Sequence, residues 1–174
     1  MGGTITNICI TAIDVINVLV FMAIMELVFV DANVILEAVL DENSASFEYF
    51  TRFRGKSRAI ITSTHAIGEV VRFLYRKSKG QDNFVIDKLI DAFRKLLGKT
   101  NLEIENVSGK TLQLVLAIIE ENSRIAFKDA IHVAIAQECQ CTKFTTLDSG
   151  IDRITLKKLG LKLEKPGSIL DHFE

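Results

Sequence analysis

MELVFVDANVILEAV, Met25 to Val39, is the stretch that sets the fold class. Leu27, Val28, Phe29 and Val30 form an unbroken apolar run, the pattern of a strand buried on both faces of a parallel sheet. The run ends on a carboxylate, Asp31, with Asn33 two residues on, and Asn33 to Leu40 then reads as a helix. Charged groups are almost never fully buried unless they are paired or bound to a metal. Asp31 therefore either caps the following helix, a contribution of about 1 kcal/mol, or belongs to a site.

Outward from this unit, strand and helix patterns alternate. Ser44 to Phe53 reads as a helix with Phe47, Phe50 and Phe53 on one face, and Arg58 to Thr62 as a second short strand. Ser63 or Thr64 then caps a helix carrying Ile67, Val70, Val71 and Leu74, which ends near Lys79 and Gly80. Asn83 to Leu97 repeats the amphipathic pattern and should stop at Gly98; Leu102 to Val107 alternates as a third strand. Ser108 caps a helix closing near Asn122, and Lys128 to Glu138 is a very apolar helix. Thr142 to Thr146 is a fourth strand, Ile151 to Leu159 a short helix, and Leu161 to Glu164 a last edge strand. Such alternation predicts an α/β domain with a mostly parallel central sheet flanked by helices. Ligands of these sheets bind at the carboxyl ends of the strands, where the strand order reverses.

The composition agrees with one domain. A chain of 174 residues that is 48 % hydrophobic and 25 % charged can build a full core without staples. Cys9, Cys139 and Cys141 have no metal-ligand spacing and read as free thiols in a reducing cytoplasm. The net charge of -1 hides an asymmetry: residues 1 to 51 contain no Lys or Arg, whereas all 21 basic residues follow them. Basic clusters lie at Arg52, Arg54, Lys56 and Arg58; at Arg72, Arg76, Lys77 and Lys79; and at Arg153, Lys157, Lys158, Lys162 and Lys165. Each is ordinarily a solvated face, but together around an acidic centre they suit a polyanion held by its phosphates.

Residues 1–25 form an amino-terminal extension whose segment Ile8 to Met25 is mostly apolar with one charge, Asp14. Its length is at the lower edge of a membrane span, but no basic residue flanks it on the amino-terminal side, as a signal peptide or a positive-inside anchor requires. An extra packed element or oligomer contact is the favoured reading, ahead of a true start at Met25 and of a membrane anchor. The globular domain is expected over 26–174.

Four acids fall at matching places on this map. Asp31 follows strand one, Glu69 lies in the helix after strand two, Asp129 opens the very apolar helix, and Asp148 comes two residues after Thr146. Brought together without a cation, they would repel one another and some would take up protons. A hard divalent ion resolves this, since Mg²⁺ and Mn²⁺ prefer oxygen ligands. Each acid also has a structural explanation: Asp31 and Asp129 as helix caps, Glu69 as a surface partner of Arg72 or Arg76, and Asp148 as a turn residue before Ser149 and Gly150.

VDANVIL (Val30 to Leu36), the Glu69 of STHAIGEV (Ser63 to Val70), KDAIHVAIA (Lys128 to Ala136) and TTLDSGID (Thr145 to Asp152) resemble, in order and spacing, the four motifs of PIN-domain ribonucleases, which include VapC-type toxins. The resemblance spans about residues 26 to 170. It implies a three-layer PIN-like fold and a Mg²⁺- or Mn²⁺-dependent endoribonuclease in which Asp31, Glu69, Asp129 and Asp148 coordinate metal and position the attacking water. Asn33 and Thr146 resemble the polar residues that orient the first carboxylate, and Asp152 a less regular additional acid. Ala32 departs from the pattern, standing where many relatives carry Thr or Ser. A homodimer and, for a toxin, a cognate antitoxin are implied with it.

His132, three residues after Asp129, is expected to pack or hydrogen-bond near the site; His65, four before Glu69, shares a helix face with it; His172 reads as solvated. A catalytically silent RNA- or protein-binding module on the same fold is the main alternative function. A haloacid-dehalogenase-type phosphatase fails on roles, because Asn33 stands where that chemistry needs a general acid.

Overall fold

In the computed structural model the described residues are 26–52, 58–79, 83–151 and 153–167. The apolar run 8–25 and the domain boundary before Glu26, together with Asp152 and His172, lie outside them.

The sheet has five parallel strands: β1 (Glu26–Val30), β2 (Arg58–Ser63), β3 (Leu102–Glu105), β4 (Lys143–Thr145) and β5 (Lys162–Glu164), in the order β3-β2-β1-β4-β5. β1 lies at the centre, with Val28 opposite Ile60 of β2 on one side and Lys143 of β4 on the other. Its apolar run is explained by this place. Phe29 joins Ile61 and Phe144 in one core, and Val28 and Val30 join Ile60 in a second core on the opposite face.

Helices cover both faces, which makes three layers. On the Val28 face lie α1 (Ala32–Leu40), α2 (Ala45–Arg52), α3 (Thr64–Ser78) and α4 (Asn83–Lys99); on the Phe29 face lie α5 (Gly109–Glu121), α6 (Phe127–Glu138) and the short α7 (Arg153–Lys158). Every residue of α6 from Ala130 to Ala136 is buried, so its alanines let the helix sit directly on the sheet. Ser63 begins α3 by accepting a hydrogen bond from the Ala66 amide at 2.9 Å, and Ser108 begins α5 with a capping box closed by Thr111. Gly98 does not stop α4: the helix continues to Lys99 and closes where the amide and hydroxyl of Thr100 both bond to the Leu96 carbonyl, at 3.1 and 2.8 Å. β3 ends at Glu105, short of the expected Val107, as suits an edge strand with one neighbour.

One basic cluster corrects its expected role. Arg58 does not face solvent; its side chain is 8 % exposed and lies in a network beneath the Val28 face. It bonds to Glu26 and to Glu164, the latter at 3.2 Å, while Lys143 reaches the same two carboxylates at 2.8 Å each. The Tyr49 hydroxyl donates to Glu164 at 3.0 Å and meets Thr145 at 3.1 Å. Burial, reinforced by the charge of Glu164, raises the Tyr49 pKa. Two cations thus match two carboxylates, and among the described residues no buried side-chain polar atom lacks a partner.

With β1 at the centre, the connection to β2 leaves to one side while β4 is added on the other. The crevice this creates lies beyond the carboxyl ends of β1 and β4. Asp31 and Asp148 follow those two strands.

Candidate active site

Asp31 is 6 % exposed and is both a cap and a member of a cluster. Its Oδ1 accepts from the Ala32 amide at 2.7 Å, which starts α1. Its Oδ2 accepts from the Thr146 hydroxyl at 2.7 Å and from Asn33 Nδ2 at 3.0 Å. Asn33 also donates to Thr146 Oγ1 at 2.9 Å and accepts from the Leu147 amide at 3.0 Å, tying the start of α1 to the loop after β4. Both residues therefore fix the rotamer of Asp31.

Thr146 Oγ1 accepts in addition from the Asp148 amide at 3.0 Å, and Asp148 Oδ1 accepts from the Gly150 amide at 2.8 Å. Asp148 thus forms the turn its sequence context suggested and still lines the crevice with Asp31 and Glu69.

Glu69 comes from the second turn of α3. Its Oε2 lies 3.1 Å from His132 Nε2, and its Oε1 lies 4.0 Å from the Lys128 ammonium. The expected surface partners Arg72 and Arg76 instead line the crevice beside it, with Phe73. The His132 hydrogen bond, more than any other cause, holds the Glu69 pKa below the usual carboxylate range.

Asp129 stands in the first turn of α6, but it is not the cap; that position is Ala126, which makes no side-chain capping bond. Its carboxylate lies 3.6 Å from Lys128 Nζ. Burial raises its pKa, the charges of Asp31 and Asp148 add to the rise, and Lys128 offsets part of it. The raised pKa records carboxylates crowded against one another without full neutralisation. On Lys128 itself burial opposes the charge, and the pull of Asp129, Glu69, Asp31 and Asp148 outweighs it, so its pKa is raised. All four acids therefore act on one point.

The resulting crevice holds about 480 Å³. The carboxylate oxygens gathered around Lys128 are hard, anionic donors, and Mg²⁺ or Mn²⁺ fits them. His132 is 1 % exposed, with Nδ1 at 3.3 Å from Ser63 Oγ and Nε2 at 3.7 Å from Asp31 Oδ1, so it is packed beside the site as expected. His65, one turn before Glu69, lies against it with ring centroids 5.3 Å apart. His65, Glu69 and His132 present ligand atoms within 4.8 Å of one another. Lys128 is the residue the motif reading passed over. Its signal was its place directly before Asp129, where a side chain leaving the start of α6 reaches whatever Asp129 reaches.

A PIN domain family model matches residues 28–157. The chain belongs to the PIN domain family. Solved structures share the fold. This PIN domain is similar to VapBC2 from Rickettsia felis, solved with a DNA fragment from its promoter, at 18 % identity and a TM-score of 0.58 over 80 % of this chain and 98 % of that one. It is similar to DNA-bound VapBC from Salmonella typhimurium at 13 % identity and a TM-score of 0.59, over 82 % and 99 %. It is also similar to PAE2754 from Pyrobaculum aerophilum at 19 % identity and a TM-score of 0.57, over 85 % and 96 %. No curated protein sequence matches the chain. Among the described residues of this PIN domain, no helix is long and apolar enough to cross a membrane.

Proposed function

We propose that this PIN domain is a divalent-metal-dependent endoribonuclease that hydrolyses RNA phosphodiester bonds. The observation that carries the reading is one crevice lined by Asp31, Glu69 and Asp148, with Asp129 beside it acting on the same Lys128, and with His132 as a protonatable group set against them. Mg²⁺ or Mn²⁺ held by these four carboxylates would activate a water and offset charge developing on the phosphoryl oxygens. Asn33 and Thr146 keep Asp31 in one rotamer, so the donor oxygens are preorganised. Arg72 and Arg76, one turn apart on α3 at the rim, offer guanidinium forks to the phosphates on either side of the scissile bond. Phe73 between them supplies a face on which a base can stack.

The VapBC-like fold supports assignment as the toxin of a toxin–antitoxin pair; a cognate antitoxin covering the crevice and a homodimer as the working unit belong to the same proposal. A cytoplasmic site of action fits an RNA substrate and the free thiols Cys139 and Cys141.

The test is cleavage of single-stranded or looped RNA with Mg²⁺ or Mn²⁺, by wild type and by Asp129→Asn. We expect cutting that requires the ion and is lost in the variant while circular dichroism is unchanged. An equal metal-dependent rate in both proteins would overturn the assignment of the site. RNA binding without cutting, whatever divalent ion is supplied, would establish the silent binding module instead.

A further inference from the structure

We propose that His65, Glu69 and His132 form a second cation site, distinct in chemistry from the all-oxygen crevice and selective for borderline divalent transition metals, Zn²⁺ foremost. His65 and Glu69 are four residues apart on α3, so one helix face presents an imidazole and a carboxylate one turn apart. His132 of α6 completes the set from across the domain, and the three ligand atoms already lie within 4.8 Å of one another. Two imidazoles and a carboxylate with an open position form a donor set that suits zinc and its neighbours, whereas Mg²⁺ avoids imidazole.

The orientation of His132 is the second observation. The ring is 1 % exposed, clasped between the Phe29 ring, 5.8 Å away centre to centre, and His65. Its Nδ1 faces Ser63 Oγ at 3.3 Å, and that oxygen is itself fixed by accepting the Ala66 amide. A ligand histidine held through its far nitrogen in this way points Nε2 at the metal position. That position also adjoins Asp31 Oδ1, 3.7 Å from Nε2, leaving the fourth place to a water or to Asp31. Since Glu69 is common to both sites, zinc bound here would draw it from the hydrolytic centre. Zinc is then an inhibitor of the Mg²⁺-supported reaction. This last consequence rests on the nuclease reading; the site itself does not.

Binding is tested first, with full-length protein and no RNA. In saturating Mg²⁺, Zn²⁺ titrated calorimetrically should bind one ion per chain, and Co²⁺ should develop the intense visible absorption of a four-coordinate nitrogen-containing site. His65→Ala should weaken Zn²⁺ binding at least tenfold and leave Mn²⁺ binding unchanged. Asp129→Asn should do the reverse. Equal Zn²⁺ affinity in wild type and His65→Ala, or a weak octahedral Co²⁺ spectrum, would each overturn the site. In the cleavage assay Zn²⁺ should inhibit wild type, and the half-inhibiting concentration should rise at least tenfold in His65→Ala; inhibition unchanged by the substitution would overturn the regulatory consequence. If no divalent ion supports cleavage at all, the nuclease reading falls while the calorimetric and Co²⁺ results still decide the zinc site.

Discussion

Asp31, directly after β1, and Glu164, in β5, are both nearly buried, at 6 % and 8 % exposure, yet their surroundings differ in one respect. Around Glu164 the charges cancel: Arg58 and Lys143 face Glu164 and Glu26, with Tyr49 and Thr145 taking up remaining bonds. Around Asp31 they do not pair off: four carboxylates face Lys128 and a histidine that carries charge only when protonated, while Arg72 and Arg76 line the crevice without a close ion pair to any of the four among the described residues. The first arrangement is complete as folded. The second is short of positive charge, and a buried group kept in that state marks a place where something else binds. Burial alone would have ranked the two carboxylates together; the count of partners separates them.

The largest expected effect breaks the comparison on the crevice side. Asp31→Asn keeps the cap, since Asn is as good an N-cap as Asp, but removes a charged metal ligand. RNA cleavage should fall by roughly a hundredfold or more, and the rise in melting temperature on adding Mn²⁺ should shrink with it. Asp31→Ala should lose the same activity and about 1 kcal/mol of stability besides; denaturant melts separate the two. Retention of cleavage in both variants would show that the crevice does not need this carboxylate.

On the other side, Arg58→Met leaves Glu26 and Glu164 with Lys143 alone. Breaking a buried pair by removing one partner costs about 3 kcal/mol or more, read as a lower denaturation midpoint, while Mn²⁺ affinity should stay at the wild-type value. A large change in metal affinity with little change in stability would reverse the roles assigned to the two regions.

A smaller effect is expected from Lys128→Met. The lysine competes with any cation drawn to Glu69 and Asp129, so the metal-free variant should bind Mn²⁺ several-fold more tightly by titration. Weaker binding would mean that Lys128 organises the carboxylates instead of opposing the ion.

The smallest effect is in pH dependence, where the two regions should have opposite signs. Asp129 has a folded pKa above its unfolded one, so its unfavourable contribution at neutral pH fades as pH falls through the folded value. Glu26 behaves oppositely. Burial tends to raise its pKa, but the bonds from Lys143 and Arg58 outweigh that and lower it; its contribution is present above the unfolded pKa and is lost as pH falls through the folded one. Melting of metal-free protein from neutral pH down to roughly pH 3 should therefore show a steeper loss in Asp129→Asn and, below the unfolded Glu value of about 4.3, a shallower one in Glu26→Gln. The same slope in both variants would mean that neither carboxylate has the coupling assigned to it.

Most of the fold was readable because it depends on local patterns. LVFV and RAIIT carry the apolar signature of central strands, and Ser63 and Ser108 carry their caps in adjacent residues. The places of the four acids were readable for the same reason, each being set by its distance from the start or end of a local element. Asp31 was ambiguous because capping α1 and lining the crevice do not exclude one another. What was not readable depends on pairings across the chain. Arg58 belonged by sequence to a surface basic cluster, and only the packing of β5 and α2 beside it turns it inward, with Glu164 more than a hundred residues away. Likewise the partners of Glu69 on its own helix were Arg72 and Arg76, and its actual partners, His132 and Lys128, come from α6. Asp152, expected as an additional acid, lies outside the described residues.

α6 carries Asp129 and His132 on a shaft whose next several residues, through Ala136, are buried in the core. In a random-mutagenesis screen for loss of cleavage, enlarging Ala134 or Ala136 would therefore be recovered alongside the acidic residues. Neither alanine would approach RNA. The inactivating lesions would form a line running from the crevice down through the middle of the protein, and a map of them would trace the helix before it traced the site.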